Sequence, residues 1–285
     1  MNTFVISFVI IVVVILALYL VAIMPRVWNR PETAAFTEWL YAHRGLHDNG
    51  GEAPENSMLA FCKAVEAGYG IELDVQLTKD KVPVVFHDFT LKRVCGVEGK
   101  VKDFTYEELQ QFHLCKSNET IPRFEDVLKI VNGKVPLIVE HKIEGTDIAV
   151  CPIVDALLRD YKGLYCMESF NPLGVYWYRK NHKEVVRGQL SQDFSKGEEQ
   201  YRGPLYFALK HLLFNFLAKP DFIAFHHKHH KCVSRKICCS VYGNMSACWT
   251  IKSQEEFDEA LNHFKIIIFD SFIPVTENWR KNQKK

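Results

Sequence analysis

No excess of charge marks this chain: 35 lysines and arginines face 34 aspartates and glutamates, a net charge of +1. Nucleic-acid binding needs a basic face, so no nucleic-acid partner is expected. No internal repeat of fixed period and no low-complexity run is present. No glycine-rich phosphate fingerprint follows the first strand-like run, which counts against a dinucleotide-binding fold. The nine cysteines are odd in number and scattered without a framework spacing. That usage suits a reducing compartment better than a disulfide scaffold.

Charge is wholly missing from Asn2 to Pro25, and Phe4 to Ile23 is almost uniformly apolar. About 20 such residues cross the hydrocarbon of a bilayer as a helix. The run exceeds the roughly 7–15 residues of a signal-peptide core. No basic region precedes it, and Ala22-Ile23-Met24 is a poor cleavage site. An uncleaved single-pass anchor is therefore expected over residues 1–25. Arg26 and Arg30 follow it, and the positive-inside rule then puts the larger C-terminal part in the cytoplasm. A short linker, 26–38, leads to one domain over 39–285.

That domain alternates short apolar runs with amphipathic stretches. LYAHRG, GIELDVQL, VPLIVEHK, LYCMESF, VVRGQLS, DFIAFHH, SACWTI and KIIIFDS read as buried strands. Between them lie helical patterns such as ENSMLAFCKAVEAG, with a start at Asn56 or Ser57 and a stop at Gly68. Eight strands alternating with helices predict a parallel sheet, and at this length a closed (β/α)8 TIM barrel is the simplest solution. An open doubly wound sheet is the runner-up.

Active sites of such barrels lie at the C-terminal ends of the strands. The polar residues gather there: His43 and Arg44, Glu72 and Asp74, His87 and Asp88, Glu140 and Lys142, Ser169, Gln189, His226, Trp249 and Asp270. Glu72 and Asp74, two apart on a strand, face the same way. Two carboxylates aimed at one point repel unless a cation separates them, and a hard divalent cation with oxygen ligands answers this. Glu140, ending another barrel strand, can complete the set. His43 and His87 are natural proton carriers near neutral pH. Arg44 and Lys142 can hold the oxygens of an anionic substrate. Together these groups describe cleavage of a phosphate ester.

His43-Arg44-Gly45, Pro54-Glu55-Asn56-Ser57, Glu72-Leu73-Asp74-Val75-Gln76-Leu77-Thr78, His87-Asp88 and Glu140-His141-Lys142 resemble the motifs of the glycerophosphodiester phosphodiesterase family, in order and spacing. The resemblance runs from about Leu40 to about Pro274. It implies a TIM barrel in which His43 and His87 are the catalytic acid and base. It implies that Glu72, Asp74 and Glu140 bind calcium or magnesium, that Arg44 and Lys142 contact the phosphate, and that Trp249 lines a glycerol pocket. The implied reaction converts a glycerophosphodiester to glycerol 3-phosphate and an alcohol, with the substrate's own 2-hydroxyl attacking first to give a cyclic phosphate. Members often carry an inserted subdomain after the second histidine. Only Phe89 to Asn118 is available here, so a minimal insertion and an open cleft are expected. His141 replaces a commonly apolar residue and is expected to point away from the barrel centre.

Two rivals stand beside this reading: a lysophospholipase D using the same site on a lipid, and a membrane-tethered binding protein without catalysis. Two stretches raise separate expectations. Leu205, Leu209, Leu212, Leu213, Phe216 and Leu217 predict one helix that is apolar nearly all round, its outer side touching the bilayer beside the anchor or packed under a loop or a partner subunit. The segment Phe225–Cys239 holds His226, His227, His229, His230, Cys232, Cys238 and Cys239 without a standard finger spacing. Its histidines are expected to line the substrate mouth or face solvent rather than bind zinc.

Overall fold

Val-, Ile- and Leu-rich runs bounded by turn residues form the strands. The computed structural model describes residues 3–196, 200–277 and 279. Its strands are β1 (Leu40–His43), β2 (Gly70–Leu77), β3 (Pro83–Val85), β4 (Leu137–His141), β5 (Tyr165–Ser169), β6 (Arg187–Ser191), β7 (Phe222–His226), β8 (Met245–Ile251) and β9 (Ile266–Phe269). Eight of them are parallel neighbours in the order β1-β9-β8-β7-β6-β5-β4-β2. Pairing of β1 with β2, His43 opposite Glu72, closes the ring. This is the expected (β/α)8 barrel, with helices on its outside. β3 lies outside the ring, antiparallel to β2.

Strand alternation divides the core into two layers. Inward-facing Tyr41, Ile138, Cys166, Leu190, Phe222, Ala224, Ala247 and Ile268 fill the N-terminal end of the barrel, closed from below by Phe36. Gly188 belongs to this layer because a Cβ there would come within 2.2 Å of the Phe222 ring. Further along the same inward rows the residues turn polar: Asp74, Glu140, Glu168 and Asp270. The outward rows, including Leu73, Val75, Val139, Met167, Ile223, Phe225 and Ile267, pack against the helices.

His141 lies on an outward row, level with Val75, and points away from the barrel centre as expected. It is fully buried against Tyr178, with ring centroids 5.3 Å apart, and neither ring nitrogen has a hydrogen-bond partner. Burial holds its pKa down at about 3. The folded protein thus refuses a proton that the unfolded chain accepts. Its contribution is complete above the ordinary histidine value and is lost as pH falls from there towards 3. His141→Leu should stabilise the protein increasingly below pH 6.5, by about 1.4 kcal/mol per pH unit. Denaturant midpoints at pH 7 and pH 5 check this, and an equal effect at both would disprove it.

Among the described residues, Thr3–Ile23 is the one helix long and apolar enough to cross a membrane, a property that a signal sequence shares. Its residues up to Leu18 are exposed, whereas Ile23 is buried in the barrel's outer layer. Tyr19 Oη lies 3.0 Å from Ser234 Oγ, Tyr242 Oη donates to Leu20 O, and Asn215 Nδ2 and Cys238 Sγ both donate to Ile23 O. After the helix, Arg26 reaches Lys183 O and Asp221, at the N-terminal ends of β6 and β7.

The structure corrects one expectation. The stretch from Leu205 to Leu217 is not one helix. It forms Pro204–Lys210 and Asn215–Ala218, separated by a turn in which Leu212 has φ 56° and is buried. Leu205, Phe207 and Phe216 remain exposed. The short segment after His87 has a core of its own. Short helices at Lys92–Cys95, Val101–Asp103 and Tyr106–Leu109 enclose a separate cluster of Val84, Phe86, Leu91, Val101, Leu109 and Ile121.

Candidate active site

The strand ends bring His43, Arg44, Glu72, Asp74, Glu140 and Lys142 into one cluster. At the end of β1, Arg44 takes φ 56° and Gly45 φ 83°, and a Cβ on Gly45 would meet the Ala60 backbone at 2.9 Å. Only glycine fits that approach, which is the local reason for the His-Arg-Gly motif. Asn56 also takes a left-handed φ of 56° and donates from Nδ2 to Asp74 Oδ2 at 3.0 Å. Such conformations cost energy and persist where surrounding contacts fix them.

Each histidine has a carboxylate to orient it. His43 Nδ1 is 3.1 Å from Asp270 Oδ2, and its Nε2 is 3.9 Å from Glu72 Oε2. His87 Nδ1 is 2.6 Å from Asp88 Oδ1. Gln76 Nε2 donates to Phe86 O and Asp88 O and so ties the His87 loop to β2. Burial and the nearby Arg44 lower the His43 pKa. Burial and Lys142 hold His87 at about 4. Both rings are therefore neutral near pH 7, each with one nitrogen fixed by its carboxylate. Asp270 stays ionised because hydrogen bonds from His43 and His47 outweigh its burial.

The acidic residues crowd together. Oxygen atoms of Glu72, Asp74 and Glu140, all buried, lie within 4.8 Å of one another. Burial, then repulsion from Asp74 and the other carboxylates, raises Glu72. Burial also raises Glu140 and Glu168. Asp74 is buried too, but attraction from His87, Lys142 and Arg44 keeps it below the ordinary carboxylate range. Asp74 Oδ1 and Glu168 Oε2 are buried without a hydrogen-bond partner. An all-oxygen, like-charged donor set with orphaned acceptors fits a hard divalent cation. Lys142 Nζ approaches Glu140 Oε1 at 2.9 Å and Asp74 Oδ1 at 3.5 Å. Arg44 Nε lies 3.5 Å from Asp74 Oδ2.

Trp249 lies near the end of β8. Its ring stands edge-on to Phe170 at 5.5 Å and to His226 at 5.0 Å. His226, the last residue of β7, thus packs beside Trp249, while His227 Nε2 is 3.2 Å from Glu256. Among the described residues, no group of three close potential metal ligands includes a cysteine, whereas His230 of this segment is grouped with Glu259 and His263.

Sequence reasoning missed three participants. Glu168 was read only as part of a strand, although its alternation with Cys166 signals an inward position. Arg93, from the small cluster after His87, brackets Glu55 and Asp88 through four contacts of 2.7–2.9 Å. Glu55 in turn holds Arg44 NH1 at 2.6 Å, and Arg93 and Arg44 keep its pKa at about 2 against burial. Arg93 therefore ties Arg44 and His87 together from one side. His47, 3.1 Å from Asp270 Oδ1, is the third.

The Glycerophosphoryl diester phosphodiesterase family profile matches residues 43–218. A glycerophosphodiester phosphodiesterase of Caldanaerobacter subterraneus subsp. tengcongensis is 45% identical over 163 residues, 53% of this chain and 65% of its own length. One from Bacillus altitudinis is 40% identical over 114 residues, 38% of this chain and 45% of its own length. The chain thus spans less than two thirds of each of these two relatives. A phosphodiesterase of Oleispira antarctica, solved in complex with the product sn-glycerol-3-phosphate, shares the fold. Its TM-score is 0.67 at 22% identity, over 83% of this chain and 94% of that one. The profile match covers more than half of the sequence and opens on the histidine that ends β1: this chain belongs to the glycerophosphoryl diester phosphodiesterase family.

Proposed function

We propose that the protein hydrolyses glycerophosphodiesters to glycerol 3-phosphate and an alcohol. The observation that carries this reading is the pair of neutral histidines, each oriented by its own carboxylate, beside a buried cluster of three acids and two cations. Arg44 and Lys142 bind the non-bridging phosphate oxygens, and Trp249 packs against the glycerol. One of His43 and His87, neutral, takes the proton from the attacking hydroxyl, and the other, which takes up a proton from solvent as the anionic diester binds beside it, gives that proton to the leaving oxygen. Attack by the substrate's 2-hydroxyl gives a cyclic phosphate, which water then opens with the two roles reversed. Glu72, Asp74 and Glu140 would hold Ca2+ or Mg2+, which supplies charge neutralisation to the phosphoryl group.

We read the Thr3–Ile23 helix as a retained membrane anchor, because cleavage would remove the contacts of Tyr19, Leu20 and Ile23 with the barrel. A cytoplasmic barrel is supported by Arg26 and Arg30 and by nine cysteines that are all free. A second reading, hydrolysis of lysophospholipids, is favoured by aromatic rings that continue outward from Trp249 through Phe170 to Phe194, the last pair 6.1 Å apart.

The test is turnover by the purified full chain of a panel of glycerophosphodiesters and of a lysophosphatidylcholine, with calcium, magnesium or chelator. Release of glycerol 3-phosphate that stops with chelator is expected. Metal-supported turnover of none of these substrates would leave the binding-protein reading in place of the enzyme.

A further inference from the structure

The end of the N-terminal helix shows which way the barrel faces. Tyr19 meets Ser234, and Ile23 meets Cys238. Each pair is four residues beyond the other on both helices, so Thr3–Ile23 runs in the same direction as Val233–Ser240. The latter follows β7 and descends from the C-terminal face of the barrel to the N-terminal face. Chain order agrees: Tyr19 lies near the start of that helix, Met24 O accepts from Lys219 Nζ, and Arg26 N donates to Pro220 O just before β7. The exposed residues from Thr3 to Leu18 therefore project beyond the catalytic face. At 1.5 Å per residue they extend about 24 Å, close to the hydrocarbon thickness of a bilayer.

The surface at the root of this projection is apolar. Leu205 and Phe207, on the helix Pro204–Lys210, are 56% and 60% exposed, and Val233, first in the adjoining helix, is 61% exposed. All three belong to the C-terminal face. Ser191 Oγ, at the end of β6, donates to Leu209 O, and Cys232 Sγ contacts Lys210 O. A row of rings joins this surface to the site. Tyr206, beside Phe207, packs on Phe194 at 5.6 Å and on Tyr201 at 4.9 Å, and Phe194 leads through Phe170 to Trp249.

We infer that the catalytic face of the barrel rests on the phospholipid bilayer, with Leu205, Phe207 and Val233 inserted beside the anchor and the mouth turned towards the lipid surface. A phospholipid surface is the occupant because the patch is continuous with a helix whose exposed length only lipid can cover. The inference rests on reading Thr3–Ile23 as a spanning helix. It does not depend on which diester is cleaved.

The experiment reconstitutes the full chain in phosphatidylcholine vesicles with or without acyl-brominated lipid. Added tryptophan emission is read for Phe207→Trp and for Leu164→Trp, the latter at the opposite end of the barrel. Bromolipid should quench the emission gained at 207 and leave that gained at 164 unchanged. A Leu205→Asp/Phe207→Asp double variant should lose about tenfold in turnover of a vesicle-borne lysophospholipid and keep its rate on water-soluble glycerophosphocholine, as expected when two apolar contacts with the surface are lost. Release of the protein from vesicles by alkaline carbonate would overturn the spanning helix and the docking with it. Retention with equal quenching at both positions would overturn the docking alone.

Discussion

Replacing His43 by alanine is expected to lower turnover of a glycerophosphodiester by about 10²–10⁴-fold with the fold intact, and His87→Ala should do the same. The structure gives each ring the two properties that a proton carrier needs. One nitrogen is fixed by a carboxylate, Asp270 for His43 and Asp88 for His87. The other is free to exchange a proton with substrate. Burial keeps both rings neutral until substrate enters. The two roles separate with a nitrophenyl diester, whose leaving group needs no protonation. The variant that recovers on that substrate has lost the acid, and the one that stays slow has lost the base. Circular dichroism controls for folding. Near-normal rates for either variant on ordinary diesters would remove that histidine from the mechanism.

Much of this site was legible because barrel geometry converts sequence position into spatial position. A strand ending in His-Arg, another carrying Glu-Leu-Asp and another ending in Glu-His-Lys must meet at one face if the strands are parallel and closed. The same alternation put His141 outside. What could not be read depends on partners chosen across long separations. Nothing local to Arg93 says that it will bracket Glu55 and Asp88 at once, since that follows from how the small cluster around Val94 and Leu109 folds back. Nothing local to Tyr19 says that a residue of an apolar helix will bond to Ser234. The break at Leu212 was missed for a different reason. Apolar spacing alone extended the helix through His211–Phe214, whereas burying Leu212 against the barrel requires the turn.

The second large effect concerns the acids. Glu72, Asp74, Glu140 and Glu168 are held in one buried cluster against the two cations Arg44 and Lys142. Folding brings these carboxylates together at a cost of desolvation and mutual repulsion, which is why three of them are shifted upward. A divalent cation relieves that cost only in the folded state, so it must stabilise the fold by linkage. At a concentration of about 100 times its Kd, this amounts to about 2.7 kcal/mol, or about 5–10 °C in Tm for a domain of this size. Calcium or magnesium should therefore raise Tm of the chelator-treated wild type by about that much and restore its activity. Glu72→Gln, Asp74→Asn and Glu140→Gln should each shrink the metal-induced shift and the rate together, because a neutral amide is a poor ligand for a hard cation. The metal-free variants separate the residues further. Glu72→Gln and Glu140→Gln remove like charge and should melt no lower than the metal-free wild type. Asp74→Asn takes the shared partner from Arg44, Lys142 and Asn56 and should melt lower. If chelator left the wild type fully active and neither ion moved its Tm, these carboxylates would not be a metal site, and their crowding would have to be balanced by Arg44 and Lys142 alone.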